Sequence, residues 1–134
     1  MIVLDSSVIL QWIFDGEEGH ERAIAYRHRH ITEQDLVAIP SLFFYEAANV
    51  LATKSGLSSS DASDVFMTFW DFDFEVYDPA RENFLNSIVL SKKYGISLYD
   101  AAYVESAITL KCNFVTADKS LYDRLKHMKG IRLL

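Results

Sequence analysis

SLYDAAY, residues 97–103, begins the stretch of sequence that decides the fold, and FVTAD, residues 114–118, ends it one helix later. Ser97 stands three residues before Asp100, the spacing at which a serine caps the first turn of a helix that carries an acid. The second run is short and apolar, which is typical of a buried strand, and it ends at Asp118. We therefore predict a helix followed by a buried strand, with one carboxylate at an end of each.

Both carboxylates fall where α/β proteins bind ligands. In open α/β sheets, ligands lie beyond the carboxyl ends of the strands and close to helix N-termini. Each acid also has a purely structural explanation, because Asp100 can complete a capping box and Asp118 can cap the last helix. The functional interpretation depends on whether further acids reach the same edge of the sheet.

Strand and helix patterns alternate along the rest of the chain. Short apolar or alternating runs predict strands over residues 2–4, 36–39, 72–76, 114–117 and 131–134. Helical patterns lie between them, and no repeat or linker interrupts the order. This predicts one α/β domain over residues 1–134, with a mostly parallel central sheet and helices on both faces.

Several helix boundaries follow from capping residues. We predict that Ser41 caps a helix running to about Lys54, after Pro40 has stopped the second strand. Asp78-Pro79 predicts a cap followed by proline at the first helical position, and Gly95 predicts a left-handed end to that helix. The same helix carries an apolar stripe made of Phe84, Leu85, Ile88 and Val89.

Composition narrows the class of protein. Half of the 134 residues are hydrophobic, enough for one core, and the single cysteine, Cys112, excludes an intrachain disulfide and a cysteine-rich zinc site. The start of the chain lacks a basic signal region and no apolar run reaches membrane length, so we expect a cytoplasmic protein without a membrane span.

The net charge of the chain is −6, which argues against a broad basic surface for binding nucleic acid. Acids that share a divalent cation would reverse that charge locally.

Four acids are candidates for such a cation site. Asp5 directly follows the first strand, Asp118 follows the fourth, and Glu46 and Asp100 lie at the margins of the apolar faces of two helices. If they converge, their repulsion requires raised pKa values or a bound cation. A set of carboxylates without histidine or thiolate favours Mg²⁺ or Mn²⁺ over zinc, and such ions position phosphate oxygens and activate water. The chemistry implied is phosphodiester hydrolysis.

Four sequence blocks together resemble the PIN-domain ribonucleases, and within them the VapC-type toxins of prokaryotic toxin-antitoxin pairs. The blocks are IVLDSSV at residues 2–8, PSL through EAANVL at residues 40–51, LYDAAY at residues 98–103, and FVTAD at residues 114–118. Their order and spacing are similar to the family's over nearly the full chain. The resemblance implies a parallel sheet with helices on both sides and an acidic pocket that binds Mg²⁺ or Mn²⁺.

The resemblance also assigns roles to residues and names partners. It implies that the metal ligands and catalytic acids are Asp5, Glu46, Asp100 and Asp118. Ser7 and Thr116 match hydroxyl positions that assist the site, and Asn49 lies one helical turn from Glu46. The family further implies a homodimer, inhibition by a cognate antitoxin and cleavage of structured RNA. We expect Lys119 and Arg124, close behind Asp118, to be better RNA contacts than the charged helix over residues 20–30.

Other functions remain open at this stage. A receiver-like signalling domain has a similar size and an acidic Mg²⁺ pocket, but it needs an acidic pair after the first strand, where this chain has Ser6 and Ser7. It also needs a phosphoacceptor after the third strand, where Asp78 precedes proline. A phosphatase of the haloacid-dehalogenase type needs an aspartate at position 7. A catalytically silent acidic binding domain would keep the same fold.

Overall fold

A computed structural model describes all 134 residues and contains one five-stranded sheet. Its strands are β1 (Ile2–Leu4), β2 (Val37–Pro40), β3 (Glu75–Tyr77), β4 (Asn113–Thr116) and β5 (Ile131–Leu133). Every pairing is parallel, and the order across the sheet is β3-β2-β1-β4-β5. The order reverses at β1, so a crevice opens at the carboxyl ends of β1 and β4. The predicted α/β class is confirmed.

Seven helices join these strands. They are α1 (Ser6–Ile9), which continues as a 3₁₀ turn over Leu10–Trp12, α2 (His20–Ile31), α3 (Leu42–Thr53), α4 (Ser59–Trp70), α5 (Arg81–Tyr94), α6 (Leu98–Thr109) and α7 (Lys119–Leu125). None of them is long and apolar enough to cross a bilayer. The α1 helix begins one residue after Asp5, so Ser6 and Ser7 form its first turn.

The core is built around the three central strands. Every residue of β1, β2 and the segment Phe114–Thr116 is buried, as expected for parallel strands covered on both faces. A second part of the core is aromatic, where Trp12 meets the edge of Phe72 at 5.1 Å and the His30 ring stacks on Phe74 at 5.3 Å. The strands β1 and β4, whose carboxyl ends form the crevice, are therefore held in place by the buried core.

Three predicted boundaries are wrong. β3 begins only at Glu75, because Asp73 has a left-handed backbone (φ 55°) that extended pairing does not allow. The α5 helix begins at Arg81 without a cap from Asp78: Asn83 Oδ1 instead accepts the Ala80 N–H at 2.7 Å. Ser41 already has helical dihedral angles, and its hydroxyl caps nothing. These starts depend on local geometry that capping residues alone do not determine.

Other helix ends agree with the sequence. The hydroxyls of Ser58 and Ser97 accept the N–H groups of Asp61 and Asp100 at 3.1 and 3.0 Å. Gly95 ends α5 with φ 64°, a conformation that favours glycine. Only one half of the predicted capping box at Ser97 forms, because no bond returns from the Asp100 side chain to the Ser97 N–H.

Two apolar helix faces are partly exposed. The α5 stripe of Phe84, Leu85, Ile88 and Val89 is 44–63% exposed, because α5 turns other residues towards α6. On α6, Ile108 is exposed, whereas Tyr103, Glu105 and Ser106 are buried. Since α6 lies against both α5 and the sheet, its buried surface is wider than one apolar arc.

We predict that Ser97→Ala lowers the free energy of unfolding by ~1 kcal/mol, because the Asp100 N–H loses its acceptor. Urea unfolding measures the change. Ser120→Ala is the matched control, since Ser120 is exposed and forms no side-chain hydrogen bond, and its effect should stay within about 0.5 kcal/mol. Equal effects of the two substitutions would contradict the capping role.

Candidate active site

Asp5 is one of two buried acids of the chain, with 5% of its surface exposed, and the other, Glu105 on α6, is 3% exposed. It follows β1, and its backbone N–H donates to Val115 O on β4 at 2.9 Å. Its carbonyl accepts the Val8 N–H at 2.9 Å, which starts α1. The backbone on both sides of Asp5 is thus fixed, and the side chain has to occupy the crevice between β1 and β4.

Two hydroxyls hold the Asp5 carboxylate. Ser7 Oγ and Thr116 Oγ1 each donate to Asp5 Oδ2 at 2.6 Å. Both hydroxyls also accept hydrogen bonds from the loop after β4, with Ala117 N–H donating to Ser7 at 3.1 Å and Asp118 N–H to Thr116 at 3.0 Å. The structure therefore brings together three of the predicted site residues and ties the loops after β1 and β4 to each other.

Glu46 reaches the same region from α3. It is half-buried, and Tyr103 Oη on α6 donates a short hydrogen bond to Glu46 Oε2. The bond joins two helices that lie on the side of the sheet where Asp5 emerges. Tyr103 is almost completely buried, so its hydroxyl depends on this acceptor.

Asp100 stands in the first turn of α6, where its own N–H is held by Ser97. It lies one helical turn before Tyr103 and is half-buried. Its charge acts on both Asp5 and Glu46, since it contributes to raising the pKa of each. Three of the four predicted acids therefore share one electrostatic site.

Asp118 occupies a different position from the other three acids. Its side chain is exposed and caps α7, accepting the Leu121 N–H at 3.0 Å. Its charge contributes to the raised pKa of neither Asp5 nor Glu46. The structure connects Asp118 to the acidic site through its backbone N–H and Thr116 rather than through its carboxylate.

Burial dominates the electrostatics of the site. It raises the pKa of the Asp5 carboxyl above the ordinary 3.8; the bonds from Ser7 and Thr116 oppose this shift, and the Asp100 charge adds to it. Burial likewise raises the pKa of Glu46 above 4.5, opposed by the Tyr103 bond and increased by the charges of Asp5 and Asp100. The pKa of Tyr103 lies well above 10.0, owing to burial and then to Glu46, so this hydroxyl stays a donor.

These side chains suit a hard divalent cation in their chemistry. All are oxygen donors. Burial is the main cause of the raised pKa of Asp5 and Glu46, and the repulsion among the acids, which adds to it, is what a bound cation relieves. No group of three or more His, Cys, Asp or Glu side chains already stands in metal-binding geometry. The acids are therefore assembled near one another, but not closed into a coordination shell.

Sequence reasoning missed Tyr103, and it left Asn49 open between a role in the site and a role on the helix surface. A tyrosine on the buried side of α6 has the pattern of an ordinary core residue, and only the packing of α6 against α3 shows its bond to Glu46. Asn49 is exposed and its side chain forms no hydrogen bond in the site. The only available signal for Tyr103 was its position one helical turn after Asp100.

The family model of the PIN domain matches residues 2–127 of this chain. The chain belongs to the PIN domain family. This PIN domain is 29% identical over 128 residues to Ribonuclease VapC3 of Pyrobaculum aerophilum, with 92% of this chain and 93% of the relative covered. The resemblance drawn from the four sequence blocks is thereby confirmed.

Two solved structures support the PIN fold. One is the crystal structure of PAE2754 from Pyrobaculum aerophilum, with a TM-score of 0.70 and 21% identity, covering 98% of this chain and 82% of that one. The other is a toxin-antitoxin complex from Klebsiella pneumoniae, with a TM-score of 0.69 and 14% identity, covering 98% of this chain and 95% of that one. At these identities, both bear on the fold of this PIN domain alone.

We predict that Asp5→Asn makes the PIN domain more stable than the wild type at neutral pH in chelator. A raised pKa means that folding disfavours the charged carboxylate, so wild-type stability falls as the pH rises from 3.8 through the raised pKa. Asparagine carries no charge at any pH, so the Asp5→Asn variant does not lose stability in this way. The difference should be largest near neutral pH and shrink as acid protonates Asp5, which urea unfolding between about pH 4 and about pH 8 measures.

Asp123→Asn is the control for this experiment. The hydrogen bond from Lys126 holds the pKa of the exposed Asp123 carboxyl below its usual range, so its charged form is the favoured one. That variant should therefore gain no stability at neutral pH. A loss of stability in Asp5→Asn that does not change with pH would contradict the assignment of Asp5 as a buried, electrostatically strained acid.

Proposed function

We propose that this protein is a divalent-metal-dependent endoribonuclease that hydrolyses RNA phosphodiester bonds and acts in the cytoplasm as the toxin of a toxin-antitoxin pair. The observation that carries the proposal is the electrostatic site of Asp5, Glu46 and Asp100 at the crevice of a PIN fold. The name of the relative, a ribonuclease, supports RNA as the substrate. The antitoxin partner is proposed by analogy with the toxin-antitoxin complex whose fold this chain shares.

Asp5, Glu46 and Asp100 would hold Mg²⁺ or Mn²⁺, with Asp118 completing the set from the start of α7. The bound ion supplies charge for the scissile phosphate and a water of lowered pKa. Ser7 and Thr116 hold the Asp5 carboxylate in place, and Tyr103 does so for Glu46. Since these donors are fixed by buried backbone, the acids keep their positions when RNA replaces water.

The same observations give less support to the two alternative functions, a receiver-like domain and a catalytically silent acidic domain. The receiver-like alternative fails because the chain belongs to the PIN domain family, and Asp78, its required phosphoacceptor, is an exposed residue outside the acidic site. A catalytically silent acidic domain would share the fold and the site. Turnover of RNA distinguishes that domain from an enzyme.

We predict that the purified protein, freed of any antitoxin, cuts RNA with Mg²⁺ or Mn²⁺ and stops in chelator. Asp100→Asn should reduce the cleavage rate by at least about 100-fold, because the variant loses one of the charges that would hold the ion. Asp64→Asn is the control, since Asp64 is an exposed acid on α4 outside the site. Cleavage of labelled RNA on gels, with circular dichroism to show folding, measures the effect.

Asp118→Asn separates the two roles of that residue within the same experiment. Asparagine caps a helix as well as aspartate does, so the variant should remain stable while it loses the charge. A slower cleavage rate at unchanged stability would place Asp118 among the metal ligands. Wild-type activity in Asp100→Asn, or RNA cleavage that persists in chelator, would contradict the proposed site.

We further propose that the protein is a homodimer through α5. Four apolar side chains of α5 are exposed in one stripe: Phe84, Leu85, Ile88 and Val89. The exposed side chains of Tyr45, Leu98 and Tyr99 continue this surface onto α3 and α6. An apolar patch of this extent on a soluble domain is typical of an interface.

We predict that Val89→Glu converts a dimer to a monomer in solution, because it places a charge on the most exposed side chain of the stripe. Ile31→Glu is the matched control, since Ile31 is similarly exposed but lies on α2. Light scattering coupled to gel filtration measures the mass. A wild-type protein that stays monomeric at every concentration would contradict this interface.

A further inference from the structure

A cavity of about 530 Å³ lies beside the acidic site and is not part of it. One wall is formed by the α1 helix and its continuation, including Ser6, Ser7 and Gln11. The opposite wall is the end of α3, with Val50 and Lys54. Because Ser7 also holds Asp5, the cavity opens directly from the catalytic edge of the sheet.

Gln11 is a buried amide with an unused acceptor. Only 2% of its surface is exposed, and its Nε2 donates to Ser7 O at 3.2 Å. Its Oε1 is buried without any hydrogen-bond partner. The Ser7 carbonyl requires a donor, so the amide cannot be turned around to satisfy Oε1. Oε1 lies just behind the cavity surface, so a ligand that donates a hydrogen bond to it requires a small opening of the wall, and the missing partner favours such a bond.

Lys54 is the one cation among the cavity residues. It follows Glu46 and Val50 at four-residue intervals, so all three lie on one side of α3. Eight residues at 1.5 Å each place its Cα about 12 Å from that of Glu46 along the helix axis. Glu17 lines the same cavity, but Lys54 takes part in none of the four salt bridges of the chain. Its charge is available for a phosphate.

Phe14 supplies an aromatic surface to the same cavity. Its side chain is half-buried, lines the cavity, and pairs with none of the aromatic rings that form the core cluster. Stacking on an aromatic side chain is the usual way in which proteins hold an unpaired base. A cation, an aromatic face and an acceptor together match the phosphate, base and polar hydrogens of one nucleotide.

We propose that this cavity binds a nucleotide of the RNA strand next to the scissile bond, with Lys54 contacting a backbone phosphate, Phe14 the face of a base, and Gln11 Oε1 a sugar hydroxyl or base N–H. The proposal rests on the ribonuclease function and names where the RNA strand leaves the acidic site.

The test uses the full chain carrying Asp100→Asn, so that RNA binds in Mg²⁺ with little cleavage. Fluorescence anisotropy follows the binding of a short, labelled, single-stranded RNA at several salt concentrations. Lys54→Gln should weaken binding and make the slope of log K against log salt shallower by about 0.7, the value for one phosphate contact on a single strand. Lys92 is an exposed lysine on α5, and Lys92→Gln should leave both the affinity and the salt slope unchanged.

Gln11→Met tests the acceptor. Loss of one hydrogen bond to RNA should weaken binding by about threefold to tenfold. The melting temperature should lie below that of Lys92→Gln, because the substitution also removes the donor to Ser7 O, so binding is compared at a temperature at which both variants are folded. If Gln11→Met fails to fold, Lys54→Gln decides the question alone.

The outcomes separate this proposal from the ribonuclease function. If the wild-type chain cuts no RNA and the Asp100→Asn chain binds none, the function itself is wrong. If RNA is bound and cut but Lys54→Gln keeps the wild-type affinity and salt slope, the subsite is wrong and the function stands. A Lys54→Gln effect seen only on inhibition by the antitoxin would assign the cavity to that protein and overturn the proposal.

Discussion

The burial of one carboxylate is the constraint on which the rest of the structure depends. Asp5 stands at the end of the central strand, where water is excluded and a charge is costly. Two hydroxyls compensate part of that cost, and they come from different parts of the chain, Ser7 in α1 and Thr116 at the end of β4. The segments that follow β1 and β4 must therefore each supply a hydroxyl donor to this one buried acid.

The strand order explains why this arrangement forms. Because β1 lies between β2 and β4 and all three run in one direction, their carboxyl ends meet at one edge. The helices that follow β1 and β2 then carry Ser7 and Glu46 back over that edge, and α6 brings Asp100 and Tyr103 against them. Residues that are far apart in sequence become one electrostatic unit through topology rather than through local structure.

The sequence predicts what depends on local pattern and misses what depends on packing. The parallel sheet and the position of Asp5 follow from apolar runs that end in polar residues, and the Ser97 cap follows from spacing alone. The Tyr103 bond depends on how two helices approach each other, which no periodicity encodes. The late start of α5 and the exposure of its stripe were likewise not predictable, because Asn83 rather than Asp78 forms the side-chain bond at the helix start, and packing decides which face is covered.

The two hydroxyls that hold Asp5 also make its oxygens unequal. Both donate to Oδ2, so Oδ1 is the oxygen that carries no side-chain hydrogen bond. When one carboxylate oxygen already accepts two hydrogen bonds and the other accepts none, coordination of a metal ion through one oxygen is favoured over bidentate chelation. Mg²⁺, which is small and demands octahedral geometry, suits such single-oxygen ligands, whereas Ca²⁺ readily accepts carboxylates through both oxygens. In the proposed metal site, the pair Ser7 and Thr116 would therefore affect which ion is preferred as well as where the carboxylate lies.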